Sequence, residues 1–188
     1  WGGESFFTDT ISGKLATEFT PTETKKEHVI VNPHNILYWV NKDNPFESRA
    51  GVGISDGQYK NWEAAFQSWI QTRGLGNVPT PPAKPIETDD VHKPEYQPVV
   101  SVEQPTENQT VAIDGRVIIR ATATSLRPVQ KFEYYANDQF IGSTDGDVGN
   151  YEFIPGDYST GPGIVRLKIV AVDSIYNRGE KIVSINVN

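Results

Sequence analysis

Side chains able to make or break bonds are sparse in this chain, and they do not gather at the spacings that catalysis requires. Acyl transfer by a serine that a lysine activates needs the amine one turn after the hydroxyl, and no serine has lysine three residues on. A Lys-Thr/Ser-Gly motif is also absent, and the Ser-x-Asn match, Ser184-Ile-Asn186, falls in an alternating run that a β-strand explains. Zero cysteines remove thiol catalysis, disulfides and cysteine-based zinc sites together. His28, His34 and His92 never take the i, i+4 spacing of a helical metal pair, so a zinc site would have to draw carboxylates from distant segments. Asp145-Gly-Asp147 with Asn150 and Glu152 has the oxygen density of a calcium loop, but Asn150 stands where such a loop needs glycine, so a solvated hairpin is expected. Glu87, Asp89 and Asp90 lie beside prolines and read as solvated linker rather than as an acid/base pair in one cleft. The sequence therefore assigns no catalytic residue, no metal ligand and no cofactor.

Aromatic rings are the remaining candidates, because their faces stack on sugar rings. Trp39, Trp62 and Trp69 are the candidate binding residues. Trp62 and Trp69 also share an apolar helix face, so the expectation with more weight makes them the small core of the first half.

The elements that would position these residues divide the chain in two. Residues 1–76 hold one clear helix, about 57–73, with Asp56 as N-cap and Gly74 as stop. Tyr59, Trp62, Phe66, Trp69, Ile70 and Arg73 recur at helical spacing. Before it, residues 1–35 read as extended loop, and Asn35-Ile-Leu-Tyr-Trp-Val40 as a strand or a single buried turn. Residues 77–97 are proline-rich and then acidic, the composition of a semi-rigid linker. From residue 98 the apolar period becomes two, with Val117, Ile119, Ala121 and Ala123 on one strand and Val165, Leu167, Ile169 and Ala171 on another. Seven strands follow, near 98–103, 116–124, 129–136, 139–143, 150–154, 164–173 and 180–187, separated by turn signals such as Asn137-Asp138 and Tyr176-Asn177. The expected fold is mainly β: an immunoglobulin-like sandwich over 98–188, preceded by a small irregular α+β region.

A net charge of −7 and a pI near 5.0 exclude a nucleic-acid partner, which needs a concentrated basic face. No apolar run of membrane-spanning length and no basic-then-apolar leader occurs. The lack of methionine suggests a processed chain or a fragment, with any reactive parts of a parent protein lying elsewhere.

Two resemblances carry the expectation further. Glu133-Tyr-Tyr-Ala-Asn-Asp-Gln-Phe-Ile-Gly142 and Ala171-Val-Asp-Ser-Ile-Tyr-Asn177 resemble bacterial immunoglobulin-like domains, with Asp138 and Tyr176 where glycine is common. There Asn137-Asp138 would take left-handed angles and Asp173 would hold loop 174–178 through its carboxylate. Ser12-Gly-Lys-Leu-Ala-Thr-Glu-Phe-Thr-Pro21, Asn35-Ile-Leu-Tyr-Trp-Val-Asn-Lys-Asp-Asn-Pro45 and Gln58-Tyr-Lys-Asn-Trp-Glu-Ala-Ala-Phe-Gln-Ser-Trp-Ile70 resemble the region after the transpeptidase domain of class A penicillin-binding proteins, the bifunctional peptidoglycan synthases. That likeness implies a non-catalytic, extracytoplasmic accessory region of a membrane-anchored synthase. Its implied partners are the parent's transpeptidase domain, peptidoglycan or cell-envelope proteins; the alternative is a glycan-binding or adhesive module.

Overall fold

A computed structural model describes residues 3–31, 33–44, 46, 51–73, 83–158 and 162–188. The chain forms two compact units: residues 1–8 with 26–86, and residues 9–25 with 87–188. This grouping differs from the linear division into 1–76, 77–97 and 98–188, because residues 9–25 and 87–97 join the sandwich. The cause is non-local backbone pairing. Leu15 bridges Thr88 in parallel, with Leu15 N–H donating to Glu87 O at 3.0 Å and Asp89 N–H to Leu15 O at 2.7 Å.

In the sandwich unit, β3 (Val99–Gln104), β5 (Val117–Thr124) and β8 (Val148–Phe153) form a three-stranded sheet. Five strands form the facing sheet in the order β4-β10-β9-β6-β7: β4 (Gln109–Val111), β6 (Val129–Ala136), β7 (Gln139–Asp145), β9 (Gly163–Asp173) and β10 (Arg178–Val187). All seven expected strands are present. The additional strand β4 is three residues long, pairs in parallel with β10 and is too short and polar to show alternation.

Period two decides what each strand buries. Val117, Ile119 and Ala121 of β5 face inward while Ile118, Arg120 and Thr122 face out. Val165, Leu167, Ile169 and Ala171 of β9 do the same, and Phe132, Tyr134, Ile141, Phe153 and Ile185 complete the core between the sheets. Beyond Lys168, Val170 and Val172 are buried too, so the end of β9 is covered on both faces. Gly179 of β10 makes a close approach possible: a Cβ there would fall 1.6 Å from the Pro98 carbonyl oxygen.

β1 (Gly3–Asp9) and β2 (Lys25–Val31), which belong to the other unit except for Asp9 and Lys25, pair as a two-stranded sheet, which corrects the loop expected over 1–35. Glu4, Ser5 and Thr8 interrupt β1, and Lys25-Lys-Glu-His28 opens β2, so neither shows the apolar alternation that marks a strand. Asn35 caps a single helical turn, α1 (Ile36–Trp39), through its Oδ1, which accepts from Leu37 N–H at 2.8 Å. The turn is only partly covered, and its first residue, Ile36, is exposed.

The main helix α2 runs Tyr59–Thr72 with Gln58 at the N-cap and Arg73 at the C-cap. Asp56 lies two residues ahead of the cap, where Oδ1 accepts from Gln58 N–H at 2.8 Å and Oδ2 pairs with Lys42 at 2.7 Å. The expected stop, Gly74, lies outside the described residues. Among the described residues of α2 only Ile70 is fully buried, while Trp62 is 56% and Trp69 47% exposed. The expectation that these two rings form a core is thereby corrected. Among the described residues, the helix is fastened chiefly through Glu63, which accepts from Asn35 N–H (3.1 Å), Asn35 Nδ2 (2.6 Å) and Gln67 Nε2 (2.8 Å) and contacts His34 Nδ1 at 2.9 Å.

Candidate functional site

The densest buried polar chemistry lies in the sandwich unit, where residues 9–25 and 87–92 meet the loop after β9. Asp9, the last residue of β1, starts a tight turn: its Oδ2 accepts from Ile11 N–H at 3.1 Å and Ser12 N–H at 2.5 Å. Burial works to raise the Asp9 carboxyl, but hydrogen bonds from Ser12, Thr24 and Ile11 outweigh it and hold it below the ordinary range. Asp9 Oδ1 is left to face His92 Nε2 at 3.3 Å, both side chains having zero solvent exposure.

Asp173 performs the role expected from the sequence. Its Oδ1 accepts from Ile175 N–H and Asn177 N–H, each at 2.9 Å, and its Oδ2 from Asn177 Nδ2 at 3.0 Å. These bonds hold Tyr176 at a φ of 69°, in the left-handed region. They also orient the Asn177 amide. Its Oδ1 faces His92 Nδ1 at 2.8 Å, so that nitrogen carries a proton. A buried hydrogen-bonded line thus runs His92–Asn177–Asp173, with Asp9 facing its free end across 3.3 Å. Beside it, Asp89 Oδ2 accepts from Thr20 Oγ1 at 2.6 Å and Oδ1 from Val91 N–H at 3.0 Å.

The linker reading of this stretch is therefore corrected residue by residue. Glu87 and Asp90 are solvated, each paired with Lys14 at 2.9 and 2.8 Å, whereas Asp89 is 5% and His92 2% exposed. No sequence signal joins Asp9 to His92, 83 positions on; the hint available was a histidine and an aspartate in an otherwise soluble-looking linker.

A second feature is the mixed-charge outer face of β6, β9 and β10. Arg178 bonds Glu23 at 2.7 Å, and that bond is the main reason the Glu23 carboxyl is held down to about 2. Lys131 pairs with Glu133 at 2.7 Å, Tyr135 Oη donates to Glu133 at 3.0 Å, and Lys168 lies 4.9 Å from the Tyr135 ring centre. Glu133, Tyr135, Lys168 and Arg178 border a shallow groove with Gln97, Val170 and Glu180. Asn137 and Asp138 take φ of 48° and 64° as expected for the β6–β7 hairpin.

In the other unit, the candidate rings are separated in kind. Trp62 and Trp69 present one half-open face of α2, with Phe66 stacked on Trp69 at 6.1 Å, and Trp39 lies on α1 with its ring edge-on to Tyr38 at 4.8 Å. A hydroxyl–imidazole contact also exists, Thr8 Oγ1 to His28 Nε2 at 2.9 Å, in which the ring stacks on Phe6. It is a pair across two strands, β1 and β2.

Comparisons with known proteins bear on the sandwich. Residues 98–167 match the family model of a bacterial Ig domain. Similar solved structures include the fibronectin(III)-like modules of Clostridium thermocellum CbhA, with 26% identity over 47% of this chain and 94% of that chain at a TM-score of 0.42. The E23A variant of superoxide reductase from Ignicoccus hospitalis is similar at 11% identity over 50% of this chain and 83% of that one, with a TM-score of 0.40. The PKD domain of an M14-like peptidase from a Thermoplasmatales archaeon shows 14% identity over 48% and 92%, with a TM-score of 0.33. Among curated proteins, none matches the chain.

Proposed function

We propose that this chain is a non-catalytic accessory region of a bacterial envelope enzyme of the class A penicillin-binding type, and that it works by holding position. The observation that carries the reading is the buried polar set in which Thr20 bonds Asp89, and His92 bonds Asn177, itself held by Asp173. It fastens the segment containing Ser12-Gly-Lys-Leu-Ala to the end of an immunoglobulin-like sandwich. A tethered module needs no such fastening; a spacer that must hold its own shape does. The three sequence pieces that resemble the post-transpeptidase region supply the parent class, and the bacterial Ig match over 98–167 supplies the accessory module.

Two experiments test it. Fluorescent-penicillin labelling of the isolated chain should give no covalent adduct, and labelling would end the non-catalytic reading. In the parent synthase, Asp173→Ala should leave penicillin labelling intact while reducing wall incorporation or septal placement; unchanged wall synthesis would remove the positional role.

The exposure of Trp62 and Trp69 favours a second reading, a glycan-binding module in an extracytoplasmic setting. Saturable pull-down on purified peptidoglycan, lost in Trp62→Ala, Trp69→Ala or Trp39→Ala, would support it. Absence of binding leaves the positional reading.

A further inference from the structure

We infer that Asp9, Asp89 and His92 supply three of the four ligands of a buried tetrahedral site for one divalent ion of the zinc type. One oxygen of each carboxylate and one imidazole nitrogen lie within 4.8 Å of one another, and all three residues are buried. Two of these atoms, Asp9 Oδ1 and His92 Nε2, have no hydrogen-bond partner despite complete burial, and they face each other.

Proton accounting makes that contact informative. Asp173 can only accept, so Asn177 turns Nδ2 toward it and Oδ1 toward His92, which fixes the His92 proton on Nδ1. A neutral His92 then presents its Nε2 lone pair to a carboxylate, and two acceptors in contact repel. Only a cation between them resolves this, and it is either a proton, on the ring or on Asp9, or a metal ion.

Distance and charge favour the metal. A charge-assisted N–H···O bond closes to about 2.7–2.9 Å, whereas this separation is 3.3 Å. Two ligands each about 2.05 Å from a tetrahedral zinc ion stand about 3.3 Å apart. Within the cluster, an imidazolium would also leave the two facing carboxylates, Asp9 and Asp89, against one positive charge, an unbalanced charge in a dry interior. A divalent ion with two carboxylates and a neutral imidazole is balanced. Each ligand is already oriented from behind: Asp9 by Ile11 and Ser12, Asp89 by Thr20 and Val91, and His92 by Asn177. The mixed oxygen and imidazole set suits zinc over calcium or magnesium. An ion here would clamp residues 9–20 to residues 89–92, so it deepens the fastening without depending on the parent-enzyme reading.

The test uses the full chain, stripped with chelator and titrated with Zn2+. One ion per chain by elemental analysis, a rise in Tm with Zn2+ and the intense visible bands of tetrahedral Co2+ after substitution are expected. His92→Gln should abolish uptake, Asn177→Ala should weaken it roughly 10–100-fold, and Asp90→Asn, at the solvated neighbour, should leave it unchanged. Because the first two variants act on buried groups, the wild-type chain gives the independent check. In 15N NMR with Zn2+ present, His92 Nε2 should be without a proton. Both ring nitrogens protonated, no uptake by the wild-type chain, or full uptake by a folded His92→Gln chain would each overturn the site.

Discussion

The sandwich and the helical unit solve the same problem of enclosure in opposite ways. Between the two sheets, Phe132, Tyr134, Leu167, Ile169 and Ile185 are each at 0% exposure. Among the described residues of the helical unit, Phe6 and Ile70 are the buried apolar side chains, and α2 is fastened by hydrogen bonds to Glu63 instead. Two facing sheets bury an alternating strand from both sides, whereas a lone helix can bury only the strip that meets a neighbour. Stability in this molecule should therefore rest on apolar packing in one unit and on polar fastening in the other.

The sharpest break of that contrast is Phe132→Ala, expected to cost about 3–5 kcal/mol in urea unfolding of the sandwich. A loss below about 1 kcal/mol would mean that its core is not close-packed. Next comes Asp173→Ala, which strands three donors and should cost about 2–3 kcal/mol, with Asp173→Asn milder. Its mark is early amide exchange at Ile175 and Asn177, and unaltered exchange there would count against the buried line.

In the helical unit, Glu63→Gln should cost about 1–2 kcal/mol and remove an acid transition. Burial alone would raise the Glu63 carboxyl, but bonds from Gln67, His34 and Asn35 hold it down to about 2 against an ordinary value of 4.5. The folded form thus favours the ionised group. Its contribution is complete above pH 4.5 and is lost as pH falls toward 2. Melting followed by tryptophan fluorescence should show that acid loss in the wild-type chain and a flatter profile in Glu63→Gln. Smallest of all, Trp69→Ala should change stability by less than about 1 kcal/mol, since the ring is 47% exposed. A larger loss in thermal melts would make the ring a core residue after all.

The sandwich was open to reading because alternation is a local signal: Val117-Ile119-Ala121 and Val165-Leu167-Ile169 announce strands without knowledge of their neighbours. Asp173 was legible for the same reason, since its acceptors reach donors two and four residues on. Residues 3–9 and 25–31 were missed because mixed polar strands carry no period. Trp62 and Trp69 were misjudged because helical spacing reports a shared face and not whether anything covers it.

Residue order in this protein thus carries whatever depends on near neighbours: strand alternation, the left-handed hairpin at Asn137-Asp138, the cap at Asn35 and the carboxylate that shapes loop 174–177. The company kept by Asp9, Asp89 and His92 does not lie in that order. It arises when residues 9–25 pair with 87–89 and both settle on the loop after β9, because contacts across such separations are selected by the packing of whole elements and not by any local spacing.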